Sequence, residues 1–268
     1  MMLSWLLKFV FPPPPSAFIT SMSVISSVSL ANAGFSELRG SHLQYSKFWN
    51  VGSGKKLTGK EIKLSSRTGM FFFYAPACLV AAASLVLFPD EGLRFMLVTS
   101  ALTVHFLKRV LEVLFVHKYS GSIDLDSAIL ITFSYSISTV SIIYAQHLTR
   151  GMPEPQLDLT YAGVVLFLVG ICGNFYHHHL LSKLRESGDR GYKIPKGGLF
   201  NLVICPHYFF EILIFMGISF TSQTVYAFSF TIGTIFYLMG RSYATRKWYV
   251  SKFDNFPKEI KCLIPYIA

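Results

Sequence analysis

The sequence predicts an all-α polytopic membrane protein in which about seven transmembrane helices enclose a chamber that faces the cytosol. Of its 268 residues, 52% are hydrophobic and only 14% are charged, which is too apolar for an ordinary soluble domain. Apolar runs of about 20 residues, the length of a helix that crosses a bilayer, recur along the chain. The net charge of +10 is divided among the segments between these runs, so we expect no nucleic-acid partner.

The first part of the chain predicts one helix followed by a long polar connection. Residues 1–11 are hydrophobic, but the four prolines at 12–15 cannot continue a helix. The next apolar stretch, at 16–35, has no clean small-residue cleavage site, so we interpret it as an uncleaved first helix and not as part of a signal peptide. Residues 39–67 are basic and too polar to cross a membrane.

Six further spans are predicted, separated by turn residues such as PDEG at 89–92. They cover about 68–87, 93–116, 126–145, 159–181, 198–220 and 225–243. The tail, 245–268, is amphipathic and basic, and it is too short for another span. Alternate loops and the tail hold eighteen of the 24 Lys and Arg residues, so the positive-inside rule places the C-terminus in the cytosol. Residues 1–268 are expected to form a single membrane domain.

Polar residues inside two apolar runs indicate a binding site. Asn174, His178 and Arg185 lie on one stripe of the fifth helix. His207 and Glu211 lie four residues apart in the sixth. Polar groups at such depth are costly and tend to face a protein interior or a wet cavity. Because a basic loop joins these helices, the arrangement predicts a site for a large anionic ligand.

Lys108 and Arg109 in the third helix have a structural and a functional interpretation. They form either an intrahelical ion pair with Glu112, one turn away, or a cationic support for a carbonyl or phosphate group.

The last helix leads out of the membrane through a stripe formed by Arg241, Thr245 and Tyr249. This stripe and the basic loop at 185–196 either lie among lipid headgroups or bind phosphate, for which the planar guanidinium is suited.

Two more groups of residues bear on the chemistry. Tyr208, with Glu211 one turn on, is typical of a proton-donating phenol, although hydrogen bonds that support packing are the alternative. The three consecutive histidines at 177–179 point in different directions on a helix, so we expect no metal. The scattered cysteines are interpreted as reduced packing residues. The sequence has no GxGxxG, GxSxG, HExxH or Walker A motif, so any nucleotide must bind within the helical bundle.

The last hundred residues resemble the steroid 5-alpha-reductase family, which also includes polyprenol reductases and very-long-chain enoyl-CoA reductases. The matching pieces occur in the same order and spacing; they are Asn174, LSKLRE, YKIPKGGLF, PHYFFE, Arg241, WY at 248–249, and FPKEIKCLIPYIA. The resemblance implies a seven-helix enzyme of the endoplasmic reticulum that reduces an activated carbon–carbon double bond with NADPH. It implies that 1–157 form the substrate side and 158–268 the NADPH side.

Carried over residue by residue, the resemblance implies a set of cofactor contacts, in which Thr245 stands where His is common and His207 where Asn is common. The set is Asn174, His178, Arg185, Tyr192, Lys193, His207, Arg241, Thr245 and Tyr249. It also implies catalytic roles: Tyr208 or Tyr74 as the donor to the enolate oxygen, Glu211 as its orienting partner, and Lys108 with Arg109 as cationic support.

The N-terminal half departs from the animal steroid reductases. Phe73 and Tyr74 stand in place of a Gln-Glu pair, and Phe106 replaces a Tyr. HFLKRVLEVLFVHKYS is similar to the corresponding helix of enoyl-CoA reductases, and the N-terminus resembles plant members. A 3-oxo-4-ene steroid is the first expected substrate, and these departures leave enoyl-CoA or polyprenol as the alternative and a non-catalytic lipid-binding or scaffold protein as a further one. The expected partners are a sterol-like, acyl or isoprenoid lipid, membrane lipid and enzymes of lipid synthesis.

Overall fold

The computed structural model describes residues 8–48, 62–119, 121–184 and 191–267. Within these ranges the chain forms seven α-helices and one short sheet. A π-helical turn, Glu112–Val116, continues the third helix, and 3₁₀ turns cover Ser46–Phe48 and Gly198–Asn201. The helices are α1 (Ala17–Leu38), α2 (Ser66–Leu87), α3 (Leu93–Leu111), α4 (Leu125–His147), α5 (Thr160–Lys183), α6 (Pro206–Ser222) and α7 (Val225–Lys252).

Four of these helices, α1, α2, α4 and α5, are long and apolar enough to cross a membrane. The other three are shorter or more charged: α6 has 17 residues, and α3 and α7 carry Lys and Arg side chains. Each of the seven predicted spans corresponds to one of the seven helices. The prediction of an all-α polytopic membrane protein is therefore confirmed.

Two predicted helix bounds are wrong. The sixth span was expected from residue 198, but Gly198–Asn201 is a 3₁₀ turn and α6 begins at Pro206. Proline lacks an N–H group and suits the first turn of a helix, which explains this start. The seventh was expected to end at residue 243, whereas α7 continues to Lys252. Thr245 and Tyr249 therefore lie on the same continuous helix as Arg241.

A small antiparallel sheet, which the sequence did not predict, joins two helices at one end of the bundle. Strand β1 (Lys63–Ser65) pairs with β2 (Ser122–Asp124). Each strand runs directly into a helix and supplies its N-cap: Ser65 accepts a hydrogen bond at the start of α2, and Asp124 does so at the start of α4. The sheet therefore fixes the first turns of α2 and α4 side by side.

Two helix pairs approach closely at glycine residues. A Cβ atom on Gly240 of α7 would lie 2.2 Å from the carbonyl oxygen of Gly34 in α1, and one on Gly217 of α6 would lie 2.5 Å from the amide nitrogen of Phe167 in α5. Small residues allow such backbone contact between helices in a membrane. The first of these contacts brings the end of α1 against the middle of α7.

The C-terminal tail returns to the segment before α6. Backbone hydrogen bonds of 2.9 Å join Ile204 N–H to Lys261 O and Lys261 N–H to Leu202 O, and Cys205 N–H donates to Cys262 O at 3.2 Å. The tail therefore holds the first turn of α6, and with it His207 and Tyr208, in place.

Candidate active site

A cavity of about 860 Å³ lies among the helices and has a polar end and an apolar end. Its polar end, which is on the side of the β1–β2 sheet, contains most of the side chains that the sequence singled out. These are Tyr74, Arg109, His178, Tyr192, Lys193, His207, Tyr208, Glu211, Arg241 and Tyr249. Three other predicted residues, Lys108, Asn174 and Thr245, are not among its lining residues, and Arg185 lies outside the described residues.

Arg109 is the centre of a buried network at the polar end. One guanidinium nitrogen donates to the Tyr74 hydroxyl at 2.7 Å. The other lies 2.5 Å from the Glu112 carboxylate and 2.8 Å from Nδ1 of His178. The guanidinium also covers the Tyr74 ring, with its carbon 4.6 Å from the ring centroid. This network joins α2, α3 and α5 and holds a permanent positive charge beside the cavity wall.

A second buried network lies behind the first. The ammonium group of Lys108 contacts the side-chain oxygen of Asn174 and lies 3.2 Å from Glu112, so the i, i+4 ion pair predicted from the sequence is present. The amide nitrogen of Asn174 donates to Glu211 at 2.9 Å and to the His207 carbonyl at 2.8 Å. Asn174 therefore acts one layer behind the cavity, where it links the cation of α3 to the carboxylate of α6.

Glu211 has a neighbour that the sequence reasoning missed. Nε2 of His105, a fully buried residue, lies 3.4 Å from one Glu211 oxygen, while Asn174 donates to the other. Within the described part of the chain Glu211 makes no hydrogen bond with Tyr208, so the expected support of that phenol by Glu211 is not observed. The Tyr208 ring instead lies 4.3 Å from the His207 ring.

Several buried polar atoms at this end have no hydrogen-bond partner among the described residues. They include both ring nitrogens of His105, Nε of Arg109, Nδ1 of His207 and the Thr245 hydroxyl. Native proteins contain few such groups, and each calls for an explanation. A polar ligand bound in the cavity explains the unpartnered atoms that border the cavity.

Arg241 lies on the cavity wall, and its guanidinium is bonded to the protein itself. It contacts Glu37 at 2.6 Å and the carbonyl oxygen of Tyr45 at 3.3 Å. Its guanidinium carbon lies 4.2 Å from the centroid of the Tyr45 ring and 4.1 Å from that of the Phe48 ring. His42 adds a contact of 2.6 Å to the same Glu37 carboxylate. Arg241 therefore fixes the segment after α1 as part of the cavity wall, a role that the sequence did not suggest.

The loop before α6 closes the polar end. The Tyr249 hydroxyl lies 3.5 Å from the Lys193 carbonyl, and the Tyr192 ring packs edge-on against Trp248 at 4.8 Å. The Lys47 ammonium lies 5.2 Å from the Tyr249 ring centroid. The end of α7 thus positions a loop that carries the cationic side chain of Lys193.

The cavity wall between α1 and α4 is apolar and reaches the outer surface of the helices. Phe18 and Ile25 of α1 and Leu130 and Phe133 of α4 line it, yet each is 43–63% exposed. In a bilayer these side chains face lipid, so the cavity is accessible between α1 and α4 to an apolar molecule.

Three potential metal ligands also meet at the polar end. Ligand atoms of Glu112, His117 and His178 lie within 4.8 Å of one another. The Arg109 guanidinium already contacts two of the three, so a positive charge occupies the position between them. Burial lowers the pKa of His117 to about 4, so this imidazole is neutral at pH 7.

The three consecutive histidines face three directions, as their spacing predicts. His178 lines the cavity, His177 contacts the Gly173 carbonyl and the Leu199 N–H, and His179 stacks on Phe175. His117, His105 and Glu37 are the functional candidates that sequence reasoning missed. Glu37 and His105 have partners on other helices, Arg241 and Glu211, so no local pattern marks them, whereas His117 lies 3.9 Å from Glu112, five residues earlier.

Comparison with known proteins connects this cavity to a family of reductases. A family described as 3-oxo-5-alpha-steroid 4-dehydrogenase matches residues 127–268, which is more than half of the chain. The match begins in α4 and includes α5, α6, α7 and the tail.

Individual relatives agree with this match. Steroid 5-alpha-reductase DET2 of Gossypium hirsutum is 45% identical over 107 residues, which cover 40% of this chain and 42% of that protein. Very-long-chain enoyl-CoA reductase of Dictyostelium discoideum is 32% identical over 176 residues, covering 62% and 55%. Polyprenal reductase of Caenorhabditis elegans is 33% identical over 188 residues, covering 62% and 58%. The chain thus spans less than two thirds of the length of each of these relatives.

Proposed function

Because the chain belongs to the 3-oxo-5-alpha-steroid 4-dehydrogenase family, we propose that it is a membrane-embedded oxidoreductase that uses NADPH to reduce an activated carbon–carbon double bond in a lipid. A 3-oxo-4-ene steroid is the proposed substrate class. The observation that carries the proposal is the cavity itself, which has cations and phenols at one end and a lipid-accessible apolar wall at the other.

The residues at the polar end suit a dinucleotide. Lys193 and Arg241 supply positive charge for phosphate, and Tyr192 and Tyr249 supply rings and hydroxyls. The unpartnered Nδ1 of His207 is a further hydrogen-bonding group for the ligand. Asn174 and Thr245 are proposed to act from the layer behind, and Arg185 remains a proposed contact on sequence grounds.

When bound, NADPH supplies the hydride. The chain's own contribution is to polarise the substrate carbonyl, and Tyr74 is the better-placed donor for this step. Its oxygen accepts a hydrogen bond from Arg109, which leaves the phenolic proton free to point toward a substrate oxygen. The adjacent guanidinium stabilises negative charge that develops on that oxygen. Tyr208, which lines the same cavity, is the alternative donor.

The second hydrogen must arrive as a proton at the neighbouring carbon. Glu211 lies on the cavity wall, and its carboxyl group is held between Asn174 and His105. We propose that Glu211 delivers this proton. Its position supports this role better than the orientation of Tyr208. The surrounding aromatic side chains exclude water from the reacting atoms.

The exposed cavity wall and the distribution of Lys and Arg residues support a proposed location for the protein. We propose that the lipid enters between α1 and α4 from the bilayer, where the cavity wall is exposed. The protein is proposed to reside in the endoplasmic reticulum membrane with a cytosolic C-terminus, because most Lys and Arg residues lie on that side. Enzymes of lipid synthesis are the expected partners.

Reduction of a long-chain enoyl thioester or of a polyprenal is the second candidate. Matches to the enoyl-CoA and polyprenal reductases cover 62% of this chain, against 40% for the steroid reductase of Gossypium hirsutum. Phe106, fully buried at the position where animal steroid reductases have a Tyr, favours the same alternative.

The test uses the full chain purified in detergent. NADPH oxidation is measured with a 3-oxo-4-ene steroid, a trans-2-enoyl-CoA and a polyprenal, and NADPH binding is titrated in parallel. The proposal expects saturable binding and turnover of the steroid. Turnover of only one of the other lipids selects the second candidate. Binding of a lipid without NADPH binding or turnover would instead identify a non-catalytic member.

A further inference from the structure

The hydroxyl groups in the middle of α4, at positions 132–139, fall into two sets according to the face on which they lie. Thr132, Ser136 and Thr139 each donate to the carbonyl four residues earlier, at 2.7–2.8 Å. Such back-bonding is the usual way for a helical Ser or Thr to satisfy its hydroxyl. These three hydroxyls therefore donate their protons within the helix and not to a ligand in the cavity.

Ser134 and Ser138 on the cavity face behave differently. Both line the cavity, and neither side chain makes a hydrogen bond to any described residue. Ser138 is only 4% exposed as a residue, and it lines the cavity without a hydrogen bond from its hydroxyl to a described residue. A helical serine can bond its hydroxyl to the carbonyl four residues earlier, and neither of these serines does so. Two adjacent turns of one helix thus keep a donor and an acceptor directed to the cavity.

The position of these hydroxyls relates them to the proposed reaction centre. Ser134 is next to Tyr135, whose ring lies 5.5 Å from that of Tyr74. Ser138 is one turn further from the polar end, about 6 Å along the helix. The wall around them is otherwise mostly apolar, with Ile131, Ile137 and Met22 among its members.

We propose that Ser134 and Ser138 form a subsite for a second oxygen-bearing group of the lipid substrate, remote from the double bond that is reduced. This inference rests on the proposed function, and it narrows the substrate to a lipid with a hydroxyl or carbonyl group in its body. Neutral hydroxyls can both donate to and accept from such a group, and they carry no charge for a phosphate or carboxylate. An unsubstituted acyl or isoprenoid chain has nothing to bond there.

The test compares two 3-oxo-4-ene steroids that differ only in a distal hydroxyl, testosterone and androst-4-en-3-one. The full chain in lipid nanodiscs is assayed with NADPH, and kcat/KM is measured for both. The wild type is expected to favour testosterone by about threefold to tenfold, the value of one or two hydrogen bonds. In Ser134→Ala/Ser138→Ala the ratio should fall to about one.

The matched control is Ser136→Ala, on the same helix, whose hydroxyl is already bonded to the Thr132 carbonyl. It should keep the wild-type ratio. Equal kcat/KM values in the wild type, or a preference that survives in the double variant, would overturn the subsite.

A separate measurement distinguishes failure of this subsite from failure of the proposed activity. If neither steroid supports NADPH oxidation, the affinities of the same two steroids are compared by competition with tritiated testosterone. Tighter binding of the hydroxylated steroid, lost in the double variant and kept in Ser136→Ala, supports the subsite even without steroid reduction. Equal affinities, or no binding of either steroid, reject it.

Discussion

The two ends of the helical bundle each contain a buried polar cluster, and the two clusters differ in how completely their groups are bonded. At the end remote from the β1–β2 sheet, Gln223 occupies the link between α6 and α7. Its oxygen accepts from Arg94 at 3.0 Å and from the Leu159 N–H at 2.9 Å. Its nitrogen donates to the carbonyls of Phe9 and Leu157 at 2.7 and 2.8 Å. All four hydrogen-bonding positions of the side-chain amide are occupied.

The cluster around Arg109 and Glu211 is incompletely bonded by comparison. Neither ring nitrogen of His105 nor Nδ1 of His207 makes a hydrogen bond to a described residue, although Nε2 of His105 lies 3.4 Å from Glu211. A saturated cluster joins segments of the chain and holds the fold, whereas an unsaturated one retains bonding capacity for a ligand. The comparison therefore assigns a structural role to the cluster at Gln223 and a ligand-binding and catalytic role to the cluster at Arg109. Four experiments test this assignment.

The largest effect is expected from the buried ion pair at the cavity end. Arg241–Glu37 and Arg94–Glu154 have the same separation of 2.6 Å, but the acidic side chain is 1% exposed in the first pair and 64% in the second. Glu37→Ala should lower the free energy of unfolding by about 3–5 kcal/mol, because it leaves a buried charge unpaired.

The matched variant Glu154→Ala should cost less than about 1 kcal/mol, since its pair is exposed to solvent. Chemical denaturation in detergent, followed by circular dichroism, measures both. Similar losses for the two variants would contradict the assignment of Arg241 as a buried clamp.

The next effect concerns the reaction rate. Tyr74→Phe removes the proposed donor to the substrate oxygen and should reduce kcat about 100-fold to 1000-fold, as for the loss of an oxyanion donor. Tyr135→Phe is the control, because its ring lines the same cavity 5.5 Å away. If kcat falls in Tyr208→Phe and is unchanged in Tyr74→Phe, the donor is Tyr208.

At the saturated end, substitution should affect stability and leave ligand binding intact. Gln223→Met keeps the side-chain length but removes four hydrogen bonds, and the expected cost is about 2–3 kcal/mol with unchanged NADPH affinity. Gln146→Met is the control, because the side-chain nitrogen of this buried glutamine donates only to Thr149. A weakened NADPH affinity in Gln223→Met alone would show that the two ends are coupled.

The smallest effect is a pH dependence from the cavity end. The pKa of His117 is about 4 in the folded protein, below its ordinary value of about 6.5, because the ring is buried. The unfolded chain thus binds the proton first as the pH falls. The stability that the neutral ring provides is complete above pH 6.5 and is lost toward pH 4, by about 2 kcal/mol between pH 7.5 and pH 5.

Thermal unfolding at a series of pH values measures this loss. His117→Gln should flatten the profile between pH 7 and pH 5. An unchanged acid loss in His117→Gln would mean that another group causes it.

Much of the fold could be predicted because membrane helices are marked by local composition. The seven helices, the one-turn pairing of Lys108 with Glu112, and the stripe that places His178 on the cavity all follow from spacing within a single helix. The start of α6 was missed because the residues before Pro206 are apolar but turn in a 3₁₀ conformation.

The sequence by itself determined the class of the protein, the family and the helix faces that carry polar groups, because each depends on residues that are neighbours along the chain. Only the tertiary structure decided which polar groups meet. Arg241 reaches Glu37 across 204 positions, and His105 reaches Glu211 from another helix. It also decided which serines of α4 keep a free hydroxyl. Such pairings depend on how helices pack side by side, and a pattern confined to one helix contains no record of its neighbours.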